Sequence, residues 1–165
     1  MEKGTYKYKP HIILIVGDAK SGKSTQSYLL LQKKLRAYIL LDGDSWRKHM
    51  DNAQRGFTKE EIIESNRGVM KKVEEEVNSG WNMIVAMICP YVQQRQEFKQ
   101  KFGDQILIVE LKASTRCREN RLNFRRSAIQ VEDGASDISF DTEKYSPDYI
   151  RDMILDEMRI RGWIE

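Results

Sequence analysis

Residues 11–25 read HIILIVGDAKSGKST. After the histidine comes a continuous apolar run rich in β-branched residues, which is typical of a strand buried on both faces. The run ends at Gly17, and residues 17–24 fit the pattern G-x-x-x-x-G-K-[ST]. Such a loop turns main-chain amides toward an anion at the N-terminus of the following helix. This stretch therefore predicts a phosphate-binding loop between a buried strand and a helix.

The chemistry of a nucleoside triphosphate explains the residue types in this loop. The ammonium group of Lys23 is expected to reach the β- and γ-phosphates, and the Ser24 hydroxyl is expected to bind Mg²⁺. Eight residues of this segment are expected to contact the donor nucleotide, namely Gly17, Ala19, Lys20, Ser21, Gly22, Lys23, Ser24 and Thr25. The predicted ligands are ATP and Mg²⁺. The alternative is a glycine turn in a domain that binds no nucleotide.

Apolar runs alternate with helical patterns along the rest of the chain. Four further strands are predicted at 37–41, 81–88, 106–111 and 138–140. Helices are predicted from residue 23 and at 45–52, 58–79, 92–102, 114–126 and 147–160. In the helix at 58–79, Thr58 and Glu61 form a capping box, and an inward stripe consists of Ile62, Val69, Val73 and Val77.

This alternation predicts one α/β domain of the P-loop nucleotide-kinase type, spanning 1–165. We expect a parallel sheet of about five strands flanked by helices, with a polar arm at 1–10 and a short lid at about 114–137. Ligands of such sheets bind beyond the carboxyl ends of the strands. Functional residues are therefore expected directly after the apolar runs.

Composition limits the remaining possibilities. The chain has 165 residues, a net charge of +3 and a hydrophobic content of 40%, which are ordinary values for a globular protein. Its 2 cysteines are too few for a disulfide framework. No signal peptide or apolar run of membrane-spanning length is found. We therefore expect a cytoplasmic protein that does not enter a membrane, with a homodimer left open.

Two carboxylates follow the second predicted strand, in the sequence Asp42-Gly43-Asp44. Phosphoryl transfer requires a carboxylate near Mg²⁺ and often another that accepts the proton of the acceptor hydroxyl. We expect Asp44 to be this base and Asp42 to support the metal or the loop. The alternative is a turn in which Asp44 caps the helix at 45–52.

Together these residues resemble the adenylylsulfate (APS) kinase family, whose members phosphorylate the 3′-hydroxyl of APS. The resemblance runs from about Ile12 to Cys117, with a further patch at Asp141-Thr142 and the following helix. It rests on the phosphate loop, Leu41 to Asp44 with Arg47, Gly56-Phe57-Thr58, Arg67, Pro90-Tyr91 with Arg95, and Glu119-Asn120-Arg121. It implies that Arg47 holds the APS phosphosulfate and that Phe57 stacks on the APS adenine. Arg67, Pro90 and Tyr91 are then further acceptor-site residues.

Departures from the family pattern lie on the acceptor side. Ile62 stands where the family has an acceptor-binding arginine, Ser65 replaces an asparagine, and Val92 replaces an arginine. The family's lid segment and second adenine-stacking aromatic have no counterpart between Leu122 and Ser139. The donor half of the site is thus expected to match the family, and the acceptor half to differ from it.

Five arginines fall within the predicted helix at 114–126: Arg116, Arg118, Arg121, Arg125 and Arg126. In small P-loop kinases such a segment closes over ATP and neutralises charge on the transferred phosphoryl group. We expect Arg121 to act in catalysis and Arg118 to bind ATP. The alternative is an ordinary solvated face.

Three functions follow from these patterns. The first is a kinase that phosphorylates APS. The second is a kinase for another hydroxyl, on a nucleoside, a sugar or a hydroxymethylated base in DNA, since the acceptor side differs and 116–126 is basic. The third is a non-catalytic nucleotide-binding module that acts through a partner.

Overall fold

The computed structural model describes residues 9–33, 38–50, 58–114, 116–117 and 131–165. Its strands are β1 (Ile12–Val16), β2 (Tyr38–Asp42), β3 (Asn82–Met87), β4 (Ile106–Lys112) and β5 (Ile138–Asp141). Its fully described helices are α1 (Lys23–Gln32), α2 (Gly43–Met50), α3 (Lys59–Asn78), α4 (Val92–Phe102) and α5 (Pro147–Ile160). Each predicted strand is present to within a few residues.

All strand pairs in the sheet are parallel, and the strand order is β2-β3-β1-β4-β5. The predicted α/β fold with a five-stranded parallel sheet is therefore confirmed. The central strand β1 pairs with β3 and β4, so that Ile12 lies opposite both Met83 and Ile106. Every residue of β1 is buried, which explains its uninterrupted apolar sequence. Because β1 is the central strand, the loop that follows it lies at the middle of the edge formed by the carboxyl ends of the strands.

Successive residues of β1 point into two separate cores, because side chains alternate between the faces of a strand. Ile12, Leu14 and Val16 pack with α3 and α4 on one face. Ile13 and Ile15 pack with α1 and α5 on the other. Of the stripe predicted on α3, Val69, Val73 and Val77 belong to the first core, and Ile62 is also buried.

Helix boundaries follow their capping residues. The Thr58 hydroxyl accepts a hydrogen bond from the Glu61 amide, and the Glu61 carboxylate accepts one from the Thr58 amide, which confirms the predicted capping box. Gly80, just beyond α3, has φ of 96°, a conformation that glycine adopts without strain. Within the described ranges, none of the helices combines the length and apolar character needed to cross a membrane.

Part of the sequence prediction lies outside the described residues. This applies to most of the arm at 1–10 and to most of the helix expected at 114–126. Residues 131–137, at the end of the predicted lid region, are described and lead without helix into β5. They pack beside α4, as detailed below.

Candidate functional site

The phosphate loop follows β1 directly, as the sequence predicts. A Cβ atom at Gly17 would lie 2.4 Å from Ser21 Oγ and 2.6 Å from the Leu111 carbonyl oxygen, so only glycine fits there. Gly22 precedes α1 with φ of 104°, again a conformation that favours glycine. The hydroxyl of Ser21 is buried and has no hydrogen-bond partner within the described part of the chain. The loop is thus tightly wound at the point where α1 begins.

Lys23 lies at the start of α1, and its Nζ donates a hydrogen bond to the Asp18 carbonyl oxygen at 2.7 Å. Burial lowers the pKa of Lys23 to about 8. Nearby carboxylates oppose this shift, Asp44 most strongly, followed by Asp18 and Asp42. The ammonium group is therefore held close to both Asp42 and Asp44.

The two aspartates of this pair have different surroundings. Asp42 ends β2, and its Oδ1 accepts a hydrogen bond of 2.9 Å from the Ser45 amide. This is the geometry of an N-cap, and it explains why α2 begins at Gly43 rather than at residue 45. The alternative in which Asp44 caps the helix is wrong, because Asp42 has that role. Asp44 lies in the first turn of α2 with an exposed side chain.

A cavity of about 440 Å³ joins these elements. Its floor and one side are formed by the phosphate loop and the acidic pair, through Ala19, Lys20, Gly22, Lys23, Ser24, Thr25, Asp42 and Asp44. Ala86 and Met87, at the end of β3, complete that side. Most of the predicted donor residues, but not Gly17 or Ser21, therefore line the same cavity as the predicted base Asp44.

One wall of the cavity lies beyond β5, in a stretch that the family resemblance includes but that the sequence analysis did not predict to line the site. It consists of Thr142, Tyr145, Pro147 and Ile150, which follow β5 or belong to the start of α5. This wall could have been predicted from the rule that ligands bind beyond the carboxyl ends of the strands, had the rule been applied to β5. Tyr145 is 44% exposed and stacks on Tyr149 with ring centroids 5.0 Å apart. An aromatic platform thus stands at the cavity rim.

Gln26 connects the two walls of the cavity. This buried residue of α1 donates a hydrogen bond from Nε2 to the Pro147 carbonyl oxygen at 2.8 Å. That bond assigns the amide orientation, since a carbonyl oxygen only accepts. The other amide atom, Oε1, is buried without a hydrogen-bond partner among the described residues. A buried acceptor of this kind fits a ligand that supplies a donor group.

Oxygen atoms suited to Mg²⁺ line the same cavity. The Ser24 hydroxyl and the carboxylates of Asp42 and Asp44 are hard ligands of the type this ion prefers. Among the described residues, no group of three or more His, Cys, Asp or Glu residues is arranged to hold a metal. Protein Mg²⁺ sites in phosphoryl transfer usually take one or two carboxylates and complete their shell with substrate phosphates and water. The residues present fit that type of site.

The predicted acceptor residues are not brought together in the same way. Arg67 is exposed on α3, with its guanidinium 3.5 Å from a Glu97 carboxylate oxygen. Arg47 lies half-buried on α2. Neither belongs to the described cavity lining. Phe57, Arg118 and Arg121 fall outside the described residues.

Pro90 and Tyr91 lie between β3 and α4, beside residues 131–137. The Glu132 amide donates to the Pro90 carbonyl oxygen, and the Glu132 carboxylate accepts from the Val92 amide, both at 2.8 Å. Burial is the main cause that raises the pKa of Tyr91, with Glu132 adding to it. The end of β3 and residues 131–137 therefore form one connected surface.

Arg95 holds that surface together from within. Its side chain is fully buried and donates to three carbonyl oxygens, those of Cys89, Glu132 and Gly134. The family resemblance includes this arginine without assigning it a role. The structure shows that it binds main-chain groups.

Comparison with known proteins agrees with these features. A family model described as adenylylsulphate kinase matches residues 9–123. The adenylyl-sulfate kinase of Paraburkholderia xenovorans (strain LB400) is 31% identical over 113 residues, which cover 67% of this chain and 63% of that protein. The match thus spans less than two-thirds of that relative's length.

Two solved structures show the same fold. The APS kinase CysC of Mycobacterium tuberculosis, in complex with AMPPNP and APS, has a TM-score of 0.74 and 21% identity, covering 92% of this chain and 98% of that one. A sugar kinase from Janibacter sp. HTCC2649 has a TM-score of 0.72 and 15% identity, covering 92% and 95%. Since the matched family model covers most of the sequence, this chain belongs to the adenylylsulphate kinase family.

Proposed function

We propose that this chain transfers the γ-phosphoryl group of ATP to a hydroxyl group, with adenylyl sulfate as the first acceptor to test. The observation that carries the proposal is the cavity in which Lys23 of a phosphate loop faces Asp42 and Asp44. A cation for the triphosphate and a carboxylate for the acceptor proton are the minimum that this reaction needs. Membership of the adenylylsulphate kinase family supports the same reaction.

The donor nucleotide occupies the phosphate loop in this proposal. Main-chain amides and Lys23 bind its phosphates, while Ser24 and Asp42 hold Mg²⁺. When bound, the metal neutralises negative charge on phosphate oxygens. The nucleoside lies toward the wall formed by Thr142, Tyr145 and Pro147, where Tyr145 offers a face for stacking a base.

Asp44 acts as the base on the acceptor side. The structure supports this division of roles, because Asp42 Oδ1 already accepts the Ser45 amide whereas the Asp44 side chain is exposed beside the cavity. The Pγ–O bond to the β-phosphate breaks and a bond to the acceptor oxygen forms. The hydroxyl proton passes to the Asp44 carboxylate. Arg121 on the transferred group and Arg118 on ATP remain parts of the proposal.

Purified protein incubated with γ-labelled ATP, Mg²⁺ and adenylyl sulfate is expected to form the 3′-phosphorylated product. Asp44→Asn should lower kcat by at least about 10²-fold, with the Kd for ATP changed by less than about threefold, because the base touches the acceptor rather than the donor. Asp156→Asn is the matched control, since Asp156 lies on α5 and pairs with Arg159. Full turnover by Asp44→Asn would exclude Asp44 as the base.

A different hydroxyl acceptor is the second candidate, and two observations favour it. Ile62, in place of an acceptor-binding arginine, is a core residue with 1% exposure. Arg67 is paired with Glu97 on an exposed face. If millimolar adenylyl sulfate is not phosphorylated, nucleosides, sugars and hydroxymethylated DNA should be screened.

The same screen distinguishes a nucleic-acid acceptor from a small-molecule acceptor, and a kinase from a non-catalytic module. Affinity that falls steeply with salt would indicate a nucleic-acid acceptor, and a flat response would indicate a small molecule. ATP binding without transfer to any acceptor would instead support a nucleotide-binding module. Cytoplasmic location and a homodimer also belong to this proposal, and size-exclusion chromatography would test the second.

A further inference from the structure

Lys20 has an unusual backbone conformation within the phosphate loop. Its φ is 62°, and among the described non-glycine residues only Ala135 shares a positive φ. A side chain in this region is strained, because its Cβ approaches the following carbonyl oxygen. Glycine would adopt the same conformation without that strain. Strain of this kind clusters at active sites and ligand clamps, where the surrounding structure maintains it.

The side chain of Lys20 is placed where a function is available. It lines the same cavity as Lys23, Asp42 and Asp44. The positive charge of Lys20 also acts on Lys23. Burial is the main cause that lowers the pKa of Lys23, and repulsion from Lys20 lowers it further. The loop therefore places two lysines, the exposed Lys20 and the part-buried Lys23, on the lining of one cavity. Phosphate binding by main-chain amides, which any residue at position 20 could provide, does not require this second lysine side chain.

Phosphoryl transfer supplies a use for a second cation. When the Pγ–O bond breaks, its electron pair stays on the β-phosphate oxygen, and the acceptor oxygen bonds to phosphorus while its proton goes to a carboxylate. Charge is spread over the oxygens of the γ-phosphoryl group during this step. A cation fixed in a short, strained loop is preorganised to stabilise that charge, because the loop need not reorganise as the reaction proceeds.

We propose that the ammonium group of Lys20 is a catalytic group that contacts the transferred γ-phosphoryl, in addition to the contacts made by Lys23. This assignment rests on the proposed phosphotransferase function. It identifies a loop residue, rather than a lid residue alone, as a source of transition-state charge stabilisation. In this proposal, the strained backbone of Lys20 is tolerated because it lets the amine contact the γ-phosphoryl group.

Three variants test the role of Lys20. Lys20→Met removes the charge and keeps both the chain length and the backbone strain. Lys20→Arg keeps the charge. Lys20→Gly removes the charge together with the strain. Lys71→Met, on the exposed surface of α3, is the matched control for loss of a lysine, and it should retain wild-type kcat and melting temperature.

The expected result separates activity from stability. Lys20→Met and Lys20→Gly should both lose about 10²-fold in kcat, while the Kd for ATP·Mg²⁺ measured by calorimetry rises less than about tenfold. Lys20→Gly should nevertheless melt about 2–4 °C above Lys20→Met, because the backbone strain at this position is relieved. Lys20→Arg should keep most of the turnover. A purely structural residue would move stability and activity in the same direction.

The assay measures transfer from γ-labelled ATP to adenylyl sulfate and, in parallel, slow hydrolysis with water as the acceptor. An active wild type with unchanged kcat in Lys20→Met would overturn the role of Lys20 alone. Recovery of turnover in Lys20→Gly would also overturn it, since the backbone and not the amine would then matter. A wild type that binds ATP and transfers to neither acceptor would overturn the proposed function, and the assignment of Lys20 with it.

Discussion

The Lys23 side chain is part-buried, and its ammonium group donates a hydrogen bond to a neutral acceptor, the Asp18 carbonyl oxygen. Burial disfavours the charged form, so the pKa falls from 10.5 to about 8 in spite of the nearby carboxylates. A phosphate group placed against the same ammonium would reverse this penalty. Single side chains of the loop thus favour ligand binding at the expense of the stability of the free protein.

Lys23→Met should test this relation through the pH dependence of unfolding. Between pH 8 and 10.5 the unfolded chain binds more protons at Lys23 than the folded one, so wild-type stability rises with pH across that window. Below pH 8 the penalty is complete, and the variant should be more stable than wild type by at most about 3 kcal/mol. Its advantage should vanish near pH 10.5.

Urea unfolding at several pH values would measure that difference, and Lys71→Met again provides the control. Lys23→Met should also lose at least about 10²-fold in turnover. A variant that is less stable than wild type at pH 7 would contradict the burial penalty at Lys23.

At the scale of elements, residues 131–137 are joined to α4 by the buried guanidinium of Arg95. Its three hydrogen bonds satisfy carbonyl oxygens of Cys89, Glu132 and Gly134. These carbonyls come from two separate segments, one following β3 and one preceding β5. A single side chain therefore connects the end of the third strand to the approach to the fifth.

Arg95→Met should destabilise the protein by at least about 3 kcal/mol, because the buried Cys89 carbonyl oxygen and two part-buried ones lose a charged donor. The urea midpoint measures this loss, with Arg159→Met as the control. Arg159 pairs with Asp156 on the surface, and such pairs contribute at most about 1 kcal/mol. A change of similar size in both variants would show that the Arg95 contacts are weak.

Most elements could be predicted from local patterns, since the apolar runs and the Thr58–Glu61 capping box determine their own strand or helix. The start of α2 could not, because Asp42 and Asp44 are both suitable caps and the end of β2 decides between them. The role of Arg95 and the wall at Tyr145 also escaped prediction. Both depend on contacts between segments far apart in the sequence, which no local period reports.

At the scale of the whole molecule, the cavity draws on the loop after β1, the ends of β2 and β3, the first turn of α2, and the helices α1 and α5. A ligand that fills the cavity binds the folded chain but not the unfolded one, and it must therefore raise the melting temperature. ATP with Mg²⁺ at 100 times its Kd should stabilise the protein by about 2.7 kcal/mol. For a chain of this size that corresponds to roughly 5–10 °C.

Thermal denaturation with and without ATP, each with Mg²⁺ or with excess EDTA, measures the shift. Most of the shift should disappear in EDTA, because Ser24 and Asp42 are proposed to act on the nucleotide through the metal. An unchanged melting temperature at millimolar ATP would contradict nucleotide binding at this cavity.

The hydrogen bond from Gln26 to the Pro147 carbonyl spans 121 positions of sequence, and it has a consequence for dissecting this protein. The segment that matches the family model stops at residue 123, well short of the partner of Gln26. A fragment that ends at residue 123 would retain every glycine of the phosphate loop. It would lose the cavity wall formed by Thr142, Tyr145 and Pro147, toward which the nucleoside is proposed to lie. Fusion or truncation designs should therefore keep the chain through its last helix.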